Sequence, residues 1–195
     1  MKRTIIFNNK PSIIGWCPHN ETWYYNKRRQ VDESILIPYE ITKQIDPTRP
    51  CIDTSGGFHI KTDIYDVHDY LQDHIQFKKN FDKLQDGILH DNWSNEQKYA
   101  GEPVFVSEYG GFKWSNQEEN AWGYGEAPKT EEEFIERFCK MCEALLGNEK
   151  IMGLCYTQLT DVEQEQNGLY TYDRQPKFDC KFFKKALSVQ AAIEK

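Results

Sequence analysis

The feature that most constrains this chain is the alternation of short apolar runs with longer amphipathic stretches. Buried parallel strands read as nearly unbroken hydrophobic runs, and each needs a crossover helix before the next, so this alternation predicts β/α units around a parallel sheet. The candidate strands are Ser12–Cys17, Pro50–Thr54, Lys61–Asp66, Pro103–Ser107 and Ile151–Tyr156. Asp32–Ile45 carries apolar residues at helical spacing. Thr130-Glu131-Glu132-Glu133 is a capping box that opens a helix to Leu146, which Gly147-Asn148 stops. A last helix is expected from about Phe178 to Ile193, after Pro176. Ser115–Thr130 is the most loop-like stretch.

The length of 195 residues suits one domain over residues 1–195. A complete (β/α)8 barrel typically takes about 250 residues, so this α/β fold is read as a partial barrel. Either earlier strands belong to a longer parent, or an open sheet edge is closed by forming a homodimer. The net charge of -7 argues against nucleic acid as a partner and suits a neutral ligand. No apolar stretch approaches the length of a membrane span. Thr4–Phe7 is too brief for the core of an export signal, which favours the cytoplasm. The six cysteines lie mostly in apolar or amphipathic segments and are read as reduced. Cys139-Lys140-Met141-Cys142 falls within a helix, without a second pair or a nearby histidine, and is read as packing; neither a metal site nor a cofactor is expected.

Chemistry concentrates in the loops after the strands: His19 to Tyr25, Glu108 to Trp114, and Thr157 to Asn167. In a β/α barrel the site is built from the C-terminal strand ends, so these loops are expected on one face. Glu21 and Glu108 each end a strand. Cleaving a glycosidic bond with retention takes one carboxylic acid to protonate the leaving oxygen and one carboxylate to attack the anomeric carbon, about 5–5.5 Å apart. Any single glutamate at a strand end is more often a solvated loop residue, so the flanking residues carry the weight.

Those flanks resemble glycoside hydrolase family 2, which contains β-galactosidases, β-glucuronidases and β-mannosidases. Asn9-Lys10-Pro11-Ser12-Ile13-Ile14-Gly15-Trp16 leading to Asn20-Glu21 is similar to its acid/base signature, with Lys10 where the family often has histidine. Val106-Ser107-Glu108-Tyr109-Gly110-Gly111 is similar to the nucleophile strand. Asp46-Pro47-Thr48-Arg49-Pro50 and the run from Asn167-Gly168-Leu169 to Asp173-Arg174-Gln175-Pro176-Lys177 complete the match, in order, over roughly residues 9–183.

The resemblance implies strands four to eight of a TIM barrel, with the first three strands and the N-terminal β-sandwich domains absent. It implies Glu21 as general acid/base, Glu108 as nucleophile, and Asn20 as partner of the sugar 2-hydroxyl. It also implies Tyr70 beside the nucleophile, with His68 equally placed for that role. Tyr156-Thr157-Gln158 stands where the family ends its eighth strand in tryptophan, which makes Tyr156 a candidate for the subsite floor. Trp114 is a candidate sugar contact, whereas Trp16 is read as packing. The implied activity is hydrolysis of a terminal β-linked sugar, weak or lost in this chain alone. The alternative is a carbohydrate-binding or structural fragment without chemistry.

Overall fold

The structure is a computed structural model that describes residues 2–7, 9–23, 28–91, 97–115 and 120–195. Tyr24 and Tyr25 of the expected site loop, and residues 116–119 of the expected loop before the 131–146 helix, lie outside the described residues. The described elements are helices α1 (Lys2–Phe7), α2 (Asp32–Ile45), α3 (His74–Asp82), α4 (Glu131–Leu146) and α5 (Lys181–Leu187), and strands β1 (Tyr65–Asp69), β2 (Val104–Gly110) and β3 (Ile151–Thr157). The strands form a parallel sheet in the order β1-β2-β3. The chain divides into two compact units, residues 1–68 with 91–107 and residues 69–90 with 108–195.

In the first unit α2 buries Ile35, Tyr39 and Thr42, one helical stripe. The expected strands at 12–17 and 50–54 are reduced to two isolated parallel bridges, Trp16 with Cys51 and Asn20 with Ser55. The Trp16 amide donates to the Pro50 carbonyl at 2.9 Å and the Ile52 amide to the Trp16 carbonyl at 2.8 Å. The next rung would need an amide hydrogen at residue 18, and Pro18 has none. The Asp46-to-Pro50 turn fixes this region: Asp46 accepts from Trp16 Nε1 at 2.9 Å, from Thr48 Oγ1 at 2.6 Å and from Arg49 at 2.7 Å. Those hydrogen bonds, Thr48 first, hold its carboxyl well below the usual range. Trp16 is thus a half-buried bridge residue held by its ring nitrogen to Asp46.

β1 begins later than expected. Asp53 Oδ2 accepts the amides of Ile60 at 2.6 Å and Lys61 at 3.1 Å, and the Asp63 amide goes to the Cys51 carbonyl, so residues 60, 61 and 63 spend their donors outside the ladder.

In the second unit α4 buries Phe134, Phe138, Met141, Cys142 and Leu145 against a cluster of aromatic rings that includes Phe112, Tyr156, Phe178 and Phe183. Thr130 Oγ1 caps the Glu133 amide at 3.2 Å, while the Glu133 carboxylate reaches back to the Lys129 amide at 2.8 Å. Cys142 is buried, with its sulfur 3.2 Å from the Tyr109 hydroxyl, which fits the packing role expected of it. α3 was not expected, because only Phe77 and Phe81 among its apolar residues are buried; its start is fixed by Asp73, whose side chain accepts the amides of Ile75 and Gln76. The last helix is shorter than expected. Past Leu187 the apolar residues Val189 and Ile193 are exposed, so nothing buried sustains further turns.

Candidate active site

Glu21 sits in the first unit, immediately after the Asn20–Ser55 bridge. Its amide donates to the Ser55 carbonyl at 2.6 Å, and the Ser55 amide donates to the His19 carbonyl at 2.9 Å. Glu21 has φ 52, in the left-handed region where residues other than glycine are uncommon. Asn20 is exposed beside it. The Glu21 side chain is one-third exposed, and its Oε1 lies 3.1 Å from Nδ1 of the buried His68.

His68 is the fourth residue of β1, and Gly56 makes room for its ring. A Cβ at Gly56, whose φ is +67, would lie 2.3 Å from His68 Nδ1. This contact ties His68 to Glu21, a pairing that the sequence did not single out.

In the second unit, Glu108 is the fifth residue of β2 and accepts a hydrogen bond from the Tyr70 hydroxyl. Burial first, then the hydrogen bond and charge of Glu108, push the Tyr70 phenol well above its ordinary pKa. A phenol that stays protonated is a fixed hydrogen-bond donor to Glu108. The Tyr70 ring stacks on Tyr124 with centroids 3.5 Å apart and planes within 6°.

The glycine pair after Glu108 explains how these rings fit. Gly111 (φ +64) would place a Cβ 2.6 Å from Tyr124 and 3.1 Å from Tyr70, and Gly110 (φ +83) would place one 2.3 Å from the Tyr156 ring. Gln72 completes the arrangement: its amide nitrogen lies 2.8 Å from the carbonyls of Tyr70 and Gly110, and its oxygen accepts from Arg137 at 3.1 Å.

The remaining candidates lie among core groups. Tyr156 is packed between Tyr109, Phe112 and Phe138, and its hydroxyl is 3.4 Å from the Asn167 carbonyl. The Trp114 ring packs on Phe134 and Phe178 and also lines a polar cleft of about 780 Å³, whose wall includes Asp161, Gln166, Tyr172 and Lys177 but not Glu108 or Tyr70. Lys177, the last residue of the fourth motif, forms a buried ion pair with Asp161 at 2.7 Å and donates to the Trp114 carbonyl at 2.9 Å.

Ser55, Asp66, Gln72 and Tyr124 were missed in the sequence. Only Tyr124 carried a signal, as an aromatic residue between Gly123 and Gly125 in a loop.

Among curated proteins none matches the chain. Among solved structures it is similar to a GH2 β-galacturonidase from Eisenbergiella tayi bound to galacturonate, at 20% identity and TM-score 0.69, covering 95% of this chain and 35% of that one. It is also similar to a β-glucuronidase from Faecalibacterium prausnitzii, at 19% identity and TM-score 0.65, covering 94% and 32%. The β-glucuronidase of Bifidobacterium dentium complexed with coumarin-3-O-glucuronide gives the same figures, 19%, 0.65, 94% and 32%. This chain therefore spans about a third of the length of these structures. At that identity they establish the fold. The family model described as glycosyl hydrolases family 2, TIM barrel domain, matches residues 2–191, nearly the whole chain. The chain therefore belongs to glycosyl hydrolase family 2, as part of its TIM barrel domain.

Proposed function

We propose that this chain carries the acid/base and the nucleophile of a retaining β-glycoside hydrolase acting on a terminal β-linked sugar. The observation that carries the reading is the Tyr70–Glu108 hydrogen bond: a protonated phenol donating to the carboxyl group of Glu108, the fifth residue of β2. Glu108 attacks the anomeric carbon while Glu21 gives its proton to the leaving oxygen. Water, deprotonated by Glu21, then cleaves the glycosyl ester with a second inversion. Asn20 is the partner of the sugar 2-hydroxyl, a contact that strengthens as the transition state develops oxocarbenium character.

The net charge of -7 favours a neutral sugar of the β-galactoside type over the uronic acids named for the structural neighbours. Orientation of the sugar is a large share of the barrier reduction, and in this family it draws on strands outside this chain. The isolated chain is accordingly a weak catalyst, and the full-length protein is the competent one.

The test is the stereochemistry of the first product. Proton NMR during turnover of an aryl β-glycoside by the full-length protein is expected to show the β-anomer first, followed by mutarotation. Early appearance of the α-anomer would remove the retaining assignment.

A further inference from the structure

A line of polar groups runs from the interior of the first unit to Glu21. Its innermost member is Asp66, whose side chain is fully buried. Asp66 Oδ2 accepts from Ser55 Oγ at 2.7 Å, from the Gly56 amide at 3.1 Å, and from Ser107 Oγ. Ser55 Oγ lies 3.0 Å from His68 Nε2, and His68 Nδ1 lies 3.1 Å from Glu21 Oε1.

Counting protons fixes the direction of these bonds. A carboxylate accepts only, so Ser55 commits its single hydroxyl proton to Asp66, as does Ser107; the 3.2 Å contact between the two hydroxyls then has no proton to share. Ser55 has only lone pairs left for His68, and therefore Nε2 must carry a hydrogen. Nδ1 faces Glu21 in one of two states. A bare Nδ1 accepts from the Glu21 carboxylic acid, or a protonated Nδ1 donates to the Glu21 carboxylate. Either way the pair holds one proton between Nδ1 and Oε1.

The opposite neutral tautomer would set the Nε2 lone pair against the Ser55 oxygen, with Asp66 Oδ2 3.8 Å away. Among the described residues of this unit, Glu21 stands at one nitrogen of His68 and Asp66 beyond the other; His59 Nε2 lies 3.3 Å from Asp66 Oδ1 and 3.0 Å from the Asp66 carbonyl oxygen. Ser55 also fixes the Glu21 main chain through its carbonyl.

We infer that Ser55, His68 and Asp66 are positioning residues for the acid/base: Asp66 orients Ser55, Ser55 holds His68 protonated on Nε2, and His68 aims and shares the proton that Glu21 delivers. The inference rests on Glu21 being the acid/base. When that proton passes to the leaving oxygen, the Glu21 O–H bond breaks and a carboxylate remains; the water of the second displacement returns one proton to it.

Two measurements test this. Nitrogen-15 NMR of the imidazole rings of the folded chain, with His68 assigned through His68→Gln, is expected to show Nε2 protonated in His68 and a mixed tautomer in Ser55→Ala. A neutral His68 protonated on Nδ1, or a tautomer indifferent to Ser55→Ala, would overturn the inference. In the full-length protein, Ser55→Ala is expected to lose about tenfold more kcat on a methyl glycoside, whose leaving oxygen needs a proton, than on a dinitrophenyl glycoside, whose leaving group does not. Its alkaline pH limb should shift as well, and Ser55→Thr should restore both. Equal losses on the two substrates would make Ser55 structural and overturn the role. If the wild-type protein turned over neither substrate while the tautomer was as expected, the Glu21 assignment would fall and the role with it, leaving the hydrogen-bond order standing.

Discussion

Replacing Tyr70 by phenylalanine removes one hydroxyl from the carboxylate proposed to attack the sugar, and little else. The ring keeps its stack on Tyr124 at 3.5 Å, and the Gly111 backbone beneath both rings is untouched. A hydrogen bond to a charged group contributes about 1.5–3 kcal/mol. Each 1.36 kcal/mol is a factor of ten in rate or one unit of pKa. Tyr70→Phe should therefore slow formation of the glycosyl-enzyme by about 10- to 100-fold.

The assay is the rate of covalent labelling of the full-length protein by a 2-deoxy-2-fluoro β-glycoside, followed by intact mass from pH 4 to 8. The denaturation midpoint is measured alongside and should stay close to that of the wild type. Labelling at the wild-type rate by a well-folded Tyr70→Phe protein would refute the claim that this phenol supports Glu108 in the attack.

Other outcomes follow from the same contacts. His59 has Asp53 at one nitrogen and Asp66 at the other; burial alone would lower its pKa, but the hydrogen bond and charge of Asp53, then Asp66, outweigh it and raise the value. A group raised in the fold contributes stability that is complete below its unfolded value near 6.5 and is lost as pH rises through the folded value. Urea midpoints should accordingly fall on the alkaline side of about pH 6.5, and His59→Gln should flatten that slope. Lys177→Met leaves Asp161 buried without its cation and should cost about 3–5 kcal/mol in denaturant unfolding. Phe138→Ala, at a side chain with no exposed surface between Tyr156 and Phe183, should cost about 3–5 kcal/mol by the same measurement.

What could be read in the sequence divides along physical lines. α2 and α4 were legible because their apolar residues recur at helical spacing and are buried on one face, and β2 and β3 because each contains a short apolar run. The segments 12–17 and 50–54 read as strands from their apolar residues, yet a proline without an amide hydrogen interrupts the ladder between them. The start of β1 was misplaced because Asp53 and Asp63 take and give hydrogen bonds that an apolar pattern does not record.

The site follows the same division. Glu21, Glu108 and Tyr70 could be named from motifs, and Glu108 and Tyr70 are joined by a hydrogen bond. The partner of Glu21 is His68, on a strand 47 residues further along. Ser55 and Asp66 carry no marker of their role in a linear sequence, because it depends on where an isolated bridge and a buried strand set their side chains. Tyr156, named for an expected subsite floor, was found packed between β3 and α4, where a one-dimensional pattern cannot separate a packed aromatic residue from an exposed one.

The most direct test of the proposed chemistry is intact-mass analysis after incubation with a panel of 2-deoxy-2-fluoro β-glycosides, with a thermal melt to show that the protein is folded. We expect a mass increase of one fluoroglycosyl group, mapped by peptide sequencing to Glu108 and absent in Glu108→Gln. A well-folded full-length protein that gains no mass with any sugar in the panel, or that carries the label on another residue, would contradict the assignment of Glu108 as the nucleophile.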